Sequence, residues 1–379
     1  MPTDKRLSLR EILALQKIYR RAETDIINEL ARLRARGLVD YHAVTALLRV
    51  QKILLSMQAR AGKVIPRMVE RYFYANHPER YTRYPKTAEE HRAAYRKAAL
   101  LSADEIDAAD RLENDLVWKL RRASDTVQEN LTRILLGRQA QDIFREKGLE
   151  MVVRQQATGM KLNVQKDFVE ELQRKGITAF TDKAGKQWSL RAYADMATRT
   201  ISRQAEVLSV LTKFGDHDLF MISKNGSTCP ICAPLEGRVY SKSGTDPDFP
   251  PLATAFGKID PNGPNTLRNT YLNIHPNCLH VLIPWTPAGK TPEQIEKIKR
   301  FSNPKTNPLD QDPRSKRQVE EYKRKEEGRA KITADIDQWK KYRIAGIGPA
   351  SFETFLKHKL AGDEKYEEWA EQYRQLGRP

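Results

Sequence analysis

The three cysteines of this chain fall in one stretch, and two of them stand in the turn Cys229-Pro230-Ile231-Cys232. A two-residue gap lets both thiolates point at one ion from a tight turn, the usual zinc-knuckle geometry. A second half-site follows in His275-Pro276-Asn277-Cys278-Leu279-His280. There Cys278 supplies a third sulfur, and either His280 or His275 supplies a nitrogen. His280 is preferred as the fourth ligand because it flanks Cys278 at the start of an expected strand, whereas Pro276 constrains the turn after His275. Three sulfurs and one nitrogen suit zinc in tetrahedral coordination. The gap from Cys232 to His275 is 42 residues, wider than in short zinc fingers, so the fold rather than the spacing must close the site.

Other chemistries fit these residues less well. An odd cysteine count in one cluster argues against a secreted disulfide framework. The bland reading makes the cysteines small buried hydrophobes and the histidines ordinary surface residues. A catalytic reading would use His275, His280 and His217, with Asp216 and Asp218, as general bases beside a metal. Four protein ligands would leave that metal no open position, and 216–218 sits between a helix and a strand, where charges commonly cap. No glycine-rich phosphate cradle or nucleophile elbow is present. The expectation is a structural site and no enzyme.

The elements around the two half-sites are short. Leu219–Ile222, 238–240 and 280–284 read as strands, with glycine, proline and aspartate filling the intervals. Five prolines lie between Ser241 and Asn273, too long a structureless stretch for a passive connector, so it needs an anchor at each end. A region this poor in core residues can use a metal as its cross-link, because binding free energy becomes folding free energy. Upstream, Thr178-Ala-Phe-Thr-Asp182 is β-like and Trp188 precedes a capped helix from Ser189 to about Phe214.

Long helices flank this region. Apolar residues at Leu9, Ile12, Leu15, Tyr19, Ala22, Ile26, Leu30 and Leu33 predict a helix from 8 to 36, with Ser8 and Glu11 as its capping box. A second helical pattern runs from Asp40 towards Tyr74, with Pro66 as an expected kink or break. The stretch 76–86 reads as a loop, and Ser102 with Glu105 opens a third helix that ends near Gly137. Near the other end, Thr291-Pro292-Glu293-Gln294 forms a capping box with proline at the first helical position. From 314 to 343 charged residues dominate, and a solvated helix is the plain reading.

Three segments follow: a helical N-terminal region over 1–176, a small α+β zinc-binding domain over 177–290, and a charged helical C-terminal arm over 291–379. The fold class expected is mainly α. Lys and Arg number 66 against 49 Asp and Glu, a formal charge of +17, which favours acidic partners such as DNA. The N-terminus lacks an apolar signal segment and no stretch approaches the roughly 18 apolar residues a membrane span needs. A soluble protein made in the cytoplasm, with no membrane partner, is expected.

Certain runs are recognisable as they stand. They are Trp188-Ser-Leu-Arg-Ala-Tyr-Ala-Asp-Met196, then Arg199-Thr200, then Cys229-Pro-Ile-Cys-Ala-Pro-Leu-Glu-Gly-Arg-Val-Tyr-Ser241, then Pro250-Pro251-Leu252, and finally the hexad from His275 to His280. In this order, across roughly residues 180 to 290, they resemble the phage minor capsid protein 2 family. Leu279 departs from the pattern, since an arginine is expected between the cysteine and the last histidine. No proposed ligand atom is affected, though any contact that arginine made to DNA or a carboxylate is lost. The resemblance implies a low-copy component of a tailed-phage head. Such a component would associate with the portal and major capsid proteins, lie in the capsid interior or at the portal vertex, and meet packaged DNA through its basic surface. Residues 291–379 show no appended enzyme. The alternatives are a zinc-dependent nuclease and a DNA-binding protein acting on the phage genome.

Overall fold

The computed structural model describes residues 5–36, 40–74, 103–136, 169–170, 172–182, 185, 187–265 and 269–376. It is mainly helical. Three long helices come first, α1 (Lys5–Arg36), α2 (Asp40–Tyr74) and α3 (Ala103–Leu136). A π-helical turn at Leu172–Gly176 leads into the hairpin β1 (Thr178–Thr181) and β2 (Gln187–Ser189), and then into α4 (Leu190–Lys213). The small strands β3 (Leu219–Ile222), β4 (Val239–Ser241) and β5 (Leu282–Pro284) follow, with the short helix α5 (Ala253–Phe256) between the last two. The helices α6 (Pro292–Ser302), α7 (Lys316–Ile344), α8 (Phe352–Ala361) and α9 (Glu364–Gln375) complete the chain.

The start of α1 differs from the sequence reading. Helix α1 begins at Lys5, so Ser8 and Glu11 lie inside it rather than at its cap, and Glu11 instead pairs with Arg71 of α2 at 2.6 Å. Pro66 sits inside α2 without ending it. Its missing N–H forfeits one bond to the carbonyl of the residue four earlier, Gly62. The loop expected at 76–86 and the cap at Ser102 lie outside the described residues. At Thr291 the capping box is formed as expected, with Gln294 and with Pro292 at the first position.

Contacts group the chain into two compact units. One comprises Met1–Leu15, Gly62–Val117 and Met196–Glu327; the other comprises Gln16–Ala61, Trp118–Asp195 and Gly328–Pro379. In the first, β3 is the middle strand of an antiparallel sheet ordered β4-β3-β5. Alternation along β3 sends Phe220 and Ile222 to one face, where they meet Val207, Val210 and Leu211 of α4, Phe256 of α5, Tyr240 and Leu282. Leu219 and Met221 face the opposite way, against Val239, Phe249, Trp285 and Ile298 of α6. The proline-rich stretch is anchored as its length demands, by a bridge of Ser241 to Pro251 and another of Lys258 to Thr270.

In the second unit the fully buried ion pair of Glu23 and Lys340, 2.7 Å apart, joins α1 to α7. Glu23 also accepts the Arg191 N–H at the start of α4 at 2.8 Å. Burial alone would raise the Glu23 carboxyl, but Lys340, Arg191 and Ser189 outweigh it and hold the group below its ordinary range. After Ile344 the chain turns at Gly346 and Gly348, both at positive φ, and α8 and α9 lay an aromatic cluster on the end of α7. Tyr342 stacks on Tyr373 at 4.7 Å and Phe355 meets Trp369 at 6.1 Å. The charged first half of α7 is solvent-exposed, as read from sequence, and burial begins at Asp335. Among the described residues no helix is long and apolar enough to cross a membrane.

Removing one partner of a buried ion pair strands the other charge, so Lys340→Ala is expected to cost about 3–5 kcal/mol in denaturant unfolding; a loss under about 1 kcal/mol would mean the pair is dispensable. In the first unit Glu113 of α3 is half-buried, and burial with the neighbouring Glu70 and Asp110 pushes its carboxyl up to about 7. The folded state therefore favours the protonated form. Its contribution is fully present below the unfolded value of 4.5 and lost as pH rises through about 7. Glu113→Gln should flatten the fall in melting temperature between pH 5 and 8, and an unchanged slope would contradict this assignment.

Candidate metal centre

The first half-site is built on the turn that leaves β3. The Ala233 N–H donates to Cys229 O at 3.0 Å and the Leu235 N–H to Cys232 O at 2.9 Å, which rolls 229–235 into consecutive turns. Gly237 follows at φ 75°, a left-handed conformation that favours glycine as the chain re-enters the sheet. The second half-site is a mirror in function. The Cys278 N–H donates to His275 O at 3.1 Å, and Asn277 takes a left-handed φ of 64° to make the turn, a conformation asparagine tolerates. Asn273 Nδ2 donates to His275 O at 2.8 Å and Thr200 Oγ1 accepts the Asn277 N–H at 3.3 Å, which fix the turn against α4.

These two turns bring all five sequence-predicted donors together. His275 Nε2 lies 3.5 Å from Cys229 Sγ and 2.9 Å from Cys232 Sγ. Cys232 Sγ lies 3.8 Å from Cys278 Sγ, which in turn is 3.5 Å from His280 Nδ1. Cys232 and Cys278 are buried, Cys229 is half-buried, and all three thiols are free. Among the described residues two groups of donors are compact enough to hold an ion: Cys229, Cys232 and His275, and Cys232, Cys278 and His280. Cys232 belongs to both.

The spacings match a tetrahedral ion. With zinc–sulfur near 2.3 Å and zinc–nitrogen near 2.0 Å, two sulfurs sit about 3.8 Å apart and a sulfur and a nitrogen about 3.5 Å. The Cys232–Cys278, Cys278–His280 and Cys229–His275 separations equal those values, while the 2.9 Å approach of His275 to Cys232 is a hydrogen-bond distance.

Both imidazoles are held by an acceptor on their far side. His280 Nε2 meets Glu236 Oε1 at 2.7 Å and His275 Nδ1 meets the Pro276 carbonyl at 2.6 Å. Each acceptor receives the ring N–H on that side, so in the neutral rings the nitrogen facing the sulfurs carries a free lone pair. A hydrogen bond from Cys232 holds the Cys278 thiol down to about 4 against the opposing effect of burial, and His280 adds to the lowering. The same bond, with burial, pushes Cys232 up. At His280 burial opposes the charge, but Cys278 and Glu236 outweigh it and raise the group.

His217 and its neighbours do not join this cluster. His217 Nε2 meets the Trp285 carbonyl at 2.9 Å, and Asp218 accepts from Ser241 Oγ at 2.7 Å and the Ser243 N–H at 2.6 Å, a turn-capping role. Sequence reasoning missed Glu236, Arg314 and Gln318, which surround the first knuckle. Their only sequence signal is a carboxylate four residues past Cys232.

A family model described as phage minor capsid protein 2 matches residues 3–345. The chain belongs to the phage minor capsid protein 2 family. The match extends well beyond the recognisable 180–290 stretch and takes in α1 to α7, while the aromatic hairpin of α8 and α9 lies past its end. Membership makes this minor capsid protein a virion component that works among other virion proteins. No curated protein and no solved structure gives a significant match.

Elemental analysis of the purified minor capsid protein is expected to find close to one zinc per chain, and Cys278→Ser to lose it. A metal-free chain whose resistance to protease is the same with and without chelator would reduce the cysteines to packing residues.

Proposed function

We propose that this minor capsid protein is a structural part of the head, docked on the portal and the major capsid protein, and that it is not an enzyme. Zinc, held by Cys229, Cys232, Cys278 and His280, is its internal cross-link. The observation that carries this reading is the convergence of two tight turns, far apart in sequence, on two compact groups of sulfur and nitrogen donors that share Cys232. Zinc suits the set because thiolates and imidazole are its usual structural ligands. His275 stands outside the coordination sphere in this reading, with its Nε2 against the sulfurs. Four protein ligands fill a tetrahedral ion, which favours structure over catalysis.

The clip would give the small sheet a compact unit that survives assembly, while the long helices supply the docking surfaces. A net charge of +17 suits a place in the capsid interior or at the portal vertex, beside packaged DNA.

Co-expression with the portal and major capsid proteins of the same phage tests the assignment. The chain should sediment with heads, and Cys278→Ser should reduce its incorporation several-fold. Heads that form normally while the wild-type chain stays in the soluble fraction would overturn it. The purified chain should also leave plasmid DNA intact with zinc or manganese; nicking that Ala substitution at His217 or His280 abolishes would establish the nuclease alternative.

A further inference from the structure

Glu236 follows the short 3-10 turn Ala233–Leu235 and is largely buried, with 13% of its side chain exposed. A single oxygen, Oε1, accepts from three groups: His280 Nε2 at 2.7 Å, the Asn225 N–H at 3.0 Å and the Ser227 N–H at 3.0 Å. The carboxylate thus faces a proposed ligand on one side and the loop entering the knuckle on the other. That loop is in turn gripped by the start of α7. Arg314 Nη1 donates to Thr228 O at 2.7 Å, Gln318 Nε2 to Ser227 O at 3.2 Å, and Lys325 Nζ to Thr228 Oγ1 at 3.4 Å. Arg314 is itself fixed by Asp312 at 2.8 Å and lies over the Tyr322 ring at 5.6 Å. Gln318 uses its other amide atom to accept from Ser315, which caps α7.

We infer that Glu236 is the positioning residue of the metal centre, and that through 225–228 it makes metal binding and the docking of 314–325 a single coupled event. The inference rests on the metal reading above. It adds that the ion does more than staple the sheet. With His280 turned by Glu236 and the 227–228 carbonyls aimed outwards, the ion-bound centre presents the acceptors on which α7 begins. Loss of the ion frees His280, slackens the hold on Glu236 and removes the reason for 227–228 to stay in place. A carboxylate behind a ligating imidazole fixes its tautomer and raises its basicity, and its loss costs about 10–100-fold in metal affinity.

The full-length chain loaded with cobalt(II) tests this, because thiolate-to-cobalt absorption reports coordination directly and trypsin reports the exposed Lys and Arg of 316–331. Wild type should show the thiolate band, and chelation should open 316–331 to trypsin. Glu236→Gln, which keeps the side-chain shape, should keep the band but release cobalt to a chelator at least 10-fold more readily and be cut at metal levels that protect wild type. The double variant Arg314→Ala, Gln318→Ala should lose the protection and, because coupling between two binding events is reciprocal, also bind cobalt more weakly than wild type. Wild-type cobalt affinity in Glu236→Gln would overturn the positioning role. Unchanged protection after chelation of wild type would overturn the coupling. Absence of any cobalt or zinc binding by wild type would defeat the metal reading itself, and the inference with it.

Discussion

Cys232 and His275 are 43 positions apart, and between them the chain runs through a proline-rich stretch that sends Phe249, Leu252 and Phe256 to the core. Closing such a loop has an entropic cost that grows slowly with its length, and a three-stranded sheet of three- and four-residue strands has little area with which to offset it. The thiol and imidazole contacts at its two ends are the constraint on which the unit depends. They set where β4 leaves the first knuckle and where β5 starts after the second. They also fix which carbonyls are turned outwards to meet the following helix.

The apolar packing around this constraint is economical. β3 lies between β4 and β5 and serves both faces, with Phe220 and Ile222 against α4 and α5 and Met221 against Val239, Phe249 and Trp285. Because side chains alternate along a strand, a one-residue slip would exchange those faces, and the knuckle at the end of β3 holds the register by returning Gly237 N–H to Ile222 O at 2.9 Å. Metal donors and strand register therefore support each other through the same few residues. In the second unit a different device does the equivalent work, with the buried pair of Glu23 and Lys340 tying α1 to α7.

Much of this was legible in the sequence because it is written in local patterns. The period of apolar residues predicts α1 to α3, the cap at Ser189 predicts α4, the Thr291 box predicts α6, and the short apolar run at 219–222 predicts β3. The cysteine turns also announced themselves, since two donors in a tight turn are a local fact. What was not legible depends on pairing across the fold. Glu11 looked like a capping residue until Arg71 of a different helix claimed it. Pro66, read as a kink or break, lies inside α2 without ending it. Glu236 has no motif of its own, because a residue that orients a ligand is defined by what the fold sets beside it. The choice between His275 and His280 likewise turns on second partners, a carboxylate for one and a carbonyl for the other, which no spacing reveals.

The central claim is that these donors form one zinc centre of three sulfurs and one nitrogen. X-ray absorption at the zinc edge of the purified full-length chain tests it most directly. The account predicts about three sulfur scatterers near 2.3 Å and one nitrogen near 2.0 Å, with imidazole multiple scattering lost in His280→Ala and retained in His275→Ala. A coordination sphere of nitrogen and oxygen alone, or a chain that takes up no zinc, would contradict it.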